Sequence, residues 1–229
     1  MSKDLTDLMI EQNLVYDENM HTPAAVKVIA KIVSYILHPL FIPLYIFIWL
    51  TQRFSIHFDD ISAAGLTFKT ISVFLNATFF PAFSVFLLWR LKFIESIFLR
   101  TEKDRIIPYI ITMIFYWWMW YLSRSFTDQP DVLKFFYFGI FLNTVFGLLI
   151  NNFIKISMHA MGAGAMLAFV IITCAHYHIF LGADILIVTF LTGLICTARL
   201  LLNHHSPAEI YTGLFVGILC QLIGVWIAL

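Results

Sequence analysis

Apolar residues in this chain come in long unbroken runs, not in the alternation of half-buried strands. We read seven runs, at about residues 24–50, 70–92, 107–124, 133–153, 159–177, 179–200 and 207–229. Each is close to the roughly 20 residues that a helix needs to cross a bilayer. Helix is the expected spanning form, because it satisfies every backbone group within one segment. Pro39 and Pro43 interrupt the first run, which predicts an interfacial piece followed by a shorter span. The turn around His176 to Leu181 is so short that the fifth and sixth spans should form an antiparallel pair. The expected fold is an all-α polytopic transmembrane bundle of six to seven spans, one domain over 24–229. Residues 1–23 are a polar tail without the basic start of a secretory signal.

Composition supports that picture. The chain is 61% hydrophobic and 12% charged, with a mean hydropathy of +0.87. Soluble domains are about half apolar and a quarter charged. Formal net charge is zero, so no basic field invites nucleic acid. Cys174, Cys196 and Cys220 lie in apolar spans and read as packing residues, not a disulfide framework or a zinc site. Tyr116, Trp117, Trp118, Trp120 and Tyr121 cluster late in the third span. They read as an aromatic belt at one interface, with substrate stacking as the alternative.

Two stripes of small residues follow polar segments. Ala160, Gly164 and Ala168 come after His159; Gly213 and Gly217 come after His205. Spacing by four lets helix backbones approach closely, so tight packing of these helices would draw both histidines toward one site. Counting crossings puts the polar segments 93–106, 154–158 and 201–206 on one side, that of the N-terminus. Those segments and their flanks hold Arg100, Lys103, Asp104, Arg105, Lys155, His159, Arg199, His204, His205 and Glu209.

Several of these residues suit phosphate chemistry. Arg100, Lys103 and Arg105 precede Pro108, which suits the first turn of the third span. They read either as an ordinary juxtamembrane basic loop or as a phosphate clamp. Ser157 and the amides of a helix start can donate to an anion. His159 can protonate a leaving oxygen, or simply mark a polar boundary. Arg199 ends an apolar span, where an unpaired charge is costly. His205 and Glu209 are four residues apart and share a helix face, so the carboxylate can orient the imidazole. His38 lies inside the first run. It is either a functional group or a neutral ring bonded to a carbonyl freed by the proline kink.

The order and spacing of these residues resemble the type-2 phosphatidic acid phosphatase superfamily, the lipid phosphate phosphatases related in fold to vanadium haloperoxidases. Its third motif is Ser-Arg, five residues, His, three residues, Asp; here stand Ala198-Arg199, His205 and Glu209 at that spacing. Its second is Pro-Ser-Gly-His; here stand Ile156-Ser157-Met158-His159. Its first is Lys, six residues, Arg-Pro; here stand Arg100 and Ile107-Pro108. The likeness covers roughly residues 95–229. It implies that His205 is the nucleophile, Glu209 its orienting acid and His159 the general acid. It implies that Arg199, Arg100 and the Ser157 region bind phosphate. Lys103 or Arg105 would replace the charge missing at Ile107, and two extra spans separate the first motif from the second.

The leading expectation is a metal-independent phosphatase, with no cofactor, acting on a membrane lipid phosphate or diphosphate through a phosphohistidine. Its partners are that substrate and the bilayer. The alternative is a degenerate protein that binds lipid head groups or transports them. A metal site of His204, His205 and Glu209 is a weaker third reading. The expected location is the cell's inner membrane, as a multi-pass protein. Lysine and arginine favour the N-terminal side, which argues that the site face is cytoplasmic. The resemblance argues for the outside.

Overall fold

Pro39 and Pro43 break the first apolar run where expected. In the computed structural model, which describes residues 23–99 and 101–228, α1 covers Ala24–Ile36 and α2 covers Ile42–Arg53. Pro43 sits in the first turn of α2, where a missing N–H leaves no intrahelical bond unmade. The run at 24–50 is therefore two short helices joined by a bend, and neither alone has the roughly 20 residues of a span.

The remaining helices are longer. α3 (Ala63–Phe74), a π-helical turn (Leu75–Phe79) and α4 (Phe80–Arg90) make one continuous helix of 28 residues. There follow α5 (Glu102–Ser123), α6 (Val132–Asn151), α7 (Met158–His176), α8 (Gly182–Leu201) and α9 (Pro207–Ala228). Counting α3–α4 as one, the described residues hold six helices long and apolar enough to cross a membrane. They contain no strand. The protein is an all-α, multi-pass membrane bundle.

Two helices start earlier than the apolar pattern predicts. α3 begins at Ala63 because Ser62 caps it, accepting from the Gly65 amide at 3.1 Å. Lys69 then lies inside the helix, paired with Asp128 at 2.8 Å and over the Phe126 ring at 4.3 Å. α5 begins at Glu102, with Thr101 accepting from the Asp104 amide at 3.1 Å. Pro108 consequently stands inside α5, not in its first turn as expected.

The core is aromatic and aliphatic. Phe47, Leu50, Leu133, Phe135, Phe136 and Phe169 from α2, α6 and α7 are essentially sealed from solvent. α7 and α9 share the most extensive interface, built on the small residues noted above. A Cβ added at Gly164 would strike the Leu214 carbonyl, and one at Gly217 would strike the Met161 carbonyl. At Gly213 it would lie 2.9 Å from the Ser157 oxygen. The expected close approach of these two helices is present.

Trp117, Trp118 and Tyr121 face outward near the end of α5, while Tyr116 is buried. Trp117 lies fifteen residues from Glu102, about 22 Å along the helix at 1.5 Å per residue. That places these exposed rings at the rim opposite the start of α5, where a belt belongs. Arg53 and Asp184 pair at 2.9 Å, joining the end of α2 to the start of α8. The three cysteines are free.

Candidate functional site

Backbone carbonyls draw the three polar segments together. Arg105, only 4% exposed, donates from Nε to the Leu99 oxygen at 2.9 Å and from Nη1 to the Ile156 oxygen at 3.1 Å. His205 Nδ1 lies 3.0 Å from the Lys155 oxygen. The Ser157 amide donates to the Glu209 oxygen at 3.4 Å. Residues before α5, between α6 and α7, and between α8 and α9 thus form one rim, as the crossing count predicts.

His205 is held most firmly. Its Nδ1 also lies 2.8 Å from Glu209 Oε2, and its side chain is 2% exposed. Both neighbours of Nδ1 are acceptors, so that nitrogen carries the proton. Nε2 keeps its lone pair. Burial holds the imidazole below its ordinary pKa; the Glu209 hydrogen bond opposes this, and Arg199 and Arg105 reinforce it. The ring is therefore neutral at pH 7, with a free basic nitrogen.

Glu209 has a second task. Ser206-Pro207-Ala208-Glu209 is a capping box: the Ser206 amide donates to Glu209 Oε2 and the Glu209 amide donates to Ser206 Oγ, both at 3.3 Å. One carboxylate oxygen thus ties down the start of α9 and the His205 ring. Ser-x-x-Glu is also the sequence signature of a helix start, so Glu209 serves the helix as well as the histidine.

His159 stands at the beginning of α7. Its Nε2 donates to the Ser34 carbonyl at 3.1 Å, which leaves Nδ1 as the proton-accepting nitrogen. Its ring meets His38 edge to face, with centroids 5.0 Å apart. His38 accepts from the Leu40 amide through Nδ1 at 3.3 Å. The bend between α1 and α2 therefore brings His38 to the site, an outcome its place in the first run did not foretell. Arg199 is central: it acts electrostatically on His38, His159 and His205. Its Nε is buried without a protein partner.

Other residues are arranged differently from expectation. Ser157 is fully buried, and its hydroxyl caps α7 by accepting from the Ala160 amide at 3.4 Å. Its hydroxyl and amide are thus both engaged within the fold. Arg105 holds two carbonyls. Lys103 is exposed in the first turn of α5. Arg100 lies outside the described residues. Asp104, named from sequence among the rim's ionisable residues but given no role there, is buried and accepts from the Glu95 amide at 3.2 Å.

A cavity of about 340 Å³ runs beside the rim, bounded by the α1–α2 bend, α4, α5, α6 and α7. Its walls include His38, Leu99, Pro108 and Met158 at the site end. Phe86 and Ile97, both about 45% exposed, mark where it reaches the outer surface. Its size is that of a small-molecule site. Among the described residues, no three His, Cys, Asp or Glu side chains gather as metal ligands.

No family model matches the chain. No characterised protein or solved structure compared with it matches either. Function must be read from the site itself.

Proposed function

We propose that this protein is a membrane-embedded phosphatase that hydrolyses a lipid phosphate or diphosphate monoester through a phosphohistidine. One observation carries the reading. His205 has its Nδ1 proton shared between the Glu209 carboxylate and the Lys155 carbonyl, so Nε2 is a free nucleophile beside Arg199. The likeness to the type-2 phosphatidic acid phosphatases, through Arg199, His205 and Glu209 at family spacing, points the same way.

In the first half-reaction His205 Nε2 attacks phosphorus and the lipid oxygen departs. Glu209 stabilises the imidazolium charge that grows on the ring. Arg199, whose Nε has no other partner, binds the phosphoryl oxygens and offsets charge in the transition state. Protonated His159 gives its Nδ1 proton to the leaving oxygen. In the second half-reaction neutral His159 takes a proton from water, which attacks the phosphorus and frees His205. The lipid tail occupies the cavity under His38. The same reading puts the protein in a cell's inner membrane, whose lipids supply the substrate.

His205→Ala should abolish phosphate release from micellar lipid phosphates while leaving the protein folded in detergent. Undiminished release would refute the mechanism. A second reading, a head-group binder without turnover, has its own support: Ser157 is consumed by the fold and Arg105 is bonded to two carbonyls. Such a protein would bind lipid phosphate and release none.

A further inference from the structure

α1 leaves one face uncovered. Ala30 and Ser34 are buried, and the helix packs against α8. Val28, Ile29, Ile32, Tyr35 and Ile36 follow the i, i+1, i+4, i+7, i+8 spacing of one helical stripe, and each is more than half exposed. Lys27 and Lys31, one turn apart along the edge of that stripe, are exposed as well. None of the described ion pairs includes either lysine. α1 contains no acidic residue.

Length and charge together set the depth of this helix. Its 13 residues extend about 20 Å, too short for a hydrocarbon core of about 30 Å. Its last turn is fixed at the rim, because the Ser34 carbonyl accepts from His159 Nε2 at 3.1 Å. Directed into the bilayer from there, α1 would carry Lys31 about 5 Å and Lys27 about 10 Å below Ser34. Ammonium groups facing lipid at that depth are costly. Laid along the interface, the helix sinks its apolar stripe among the acyl chains and keeps both lysines among the head groups. A cationic edge without acidic residues is complementary to anionic lipid.

We propose that α1 lies on the membrane surface and binds the head groups of anionic lipids through Lys27 and Lys31, and that this seating holds Ser34 and His38 at the site. The connection is short. Ser34, on the face of α1 turned to the protein, fixes the tautomer of His159. His38 follows two residues after the helix and meets the His159 ring. Thr78, from the π-helical turn, donates to the Leu40 oxygen at 2.7 Å and anchors the far side of the bend. α1 is thus the end of the bend that the bilayer holds. The effect on turnover rests on the phosphatase reading; the lipid-binding surface does not.

The test uses the full-length protein in nanodiscs, with a genetically encoded coumarin amino acid in place of Val28, Ile32 or Ile36, which stand one turn apart on the stripe. Lipids carrying a nitroxide high or low on the acyl chain quench the coumarin and report its depth. The three positions should share one shallow depth; a helix directed into the bilayer would spread them over about 12 Å. At equal mole fraction, nitroxide-labelled phosphatidylglycerol should quench at least about threefold more than labelled phosphatidylcholine. Lys27→Gln with Lys31→Gln should bring the two lipids level, and Lys27→Arg with Lys31→Arg should keep the preference. Spread depths, no preference in the parent, or a preference that survives loss of both lysines would overturn the surface. Phosphate release is measured in the same nanodiscs. It should fall at least about threefold when phosphatidylcholine replaces phosphatidylglycerol, and the Lys27→Gln, Lys31→Gln protein should not distinguish the two. Release indifferent to phosphatidylglycerol in the parent would overturn the link from α1 to the site. Release in no membrane, with the quenching as expected, would remove the phosphatase reading and keep the surface.

Discussion

The α7–α9 contact brings His159 and His205 to one rim, and a single methyl group should spoil it. In Gly217→Ala the new Cβ meets backbone: the Met161 carbonyl and, at 2.8 Å, the Ala165 nitrogen. Ordinary contact begins at 3.4 Å and the Met161 carbonyl is nearer than the Ala165 nitrogen, so the helices must part by about 1 Å or more. Overpacking costs about 1–3 kcal/mol and a clash with two backbone atoms belongs to the upper part of that range, so after alanine's better helix propensity returns somewhat under about 1 kcal/mol a net loss of about 1–2 kcal/mol remains. At about 2–4 °C per kcal/mol for a chain of this size, the melting temperature should fall by about 2–8 °C. Gly193→Ala on α8 is the control, because its Cβ would meet nothing within 4 Å. It should be neutral or slightly stabilising. Melting in detergent checks the pair. Phosphate release checks its consequence, since a displacement of this size at a catalytic pair costs on the order of tenfold. A Gly217→Ala protein as stable and active as its parent, or a Gly193→Ala protein equally damaged, would refute the claim that this interface builds the site.

Three further outcomes follow from the rim. Because burial lowers the His205 pKa, Nε2 stays unprotonated below 6.5, and the acid limb of kcat/KM should lie under that value. Arg199→Gln should move the limb up by removing a charge that disfavours imidazolium; Glu209→Gln should move it down by removing one that favours it. A pH profile showing the opposite shifts would contradict the assignment. Arg105→Lys cannot span the Leu99 and Ile156 oxygens as a guanidinium does, so it should lose about 1.5–3 kcal/mol, read as a lower melting temperature without substrate. Trp117→Ala and Trp118→Ala, at the far rim, should leave phosphate release intact; its loss in a folded variant would argue against a belt.

Much of this architecture is legible in the sequence because membrane helices advertise themselves by length. The Gly164 and Gly213–Gly217 stripes predicted the tightest helix pair, since only a missing Cβ lets those carbonyls come so near. The proline break was equally visible. Its consequence was not: His38 reaches His159 because α1 packs on α8 and the bend brings Ser34 and His38 to the start of α7, a tertiary fact. Charged residues misled the helix boundaries. Lys69 and Arg105 lie just outside the apolar runs 70–92 and 107–124, yet each stands inside a helix with a specific partner. The four-residue spacing of His205 and Glu209 pointed to a pair on one helix face, and the two side chains meet at 2.8 Å. Ser157 looked like a phosphate donor, but a serine before a helix is also its natural cap, and that is its place here.

The most direct test is to trap the covalent intermediate. The protein is mixed with phosphatidate carrying radioactive phosphate, quenched within milliseconds and denatured. A label that survives base, is lost in acid, maps to His205 and accumulates further in His159→Asn is the expected result. Absence of label from a protein that still releases phosphate, or label that persists in His205→Ala, would contradict nucleophilic catalysis by His205.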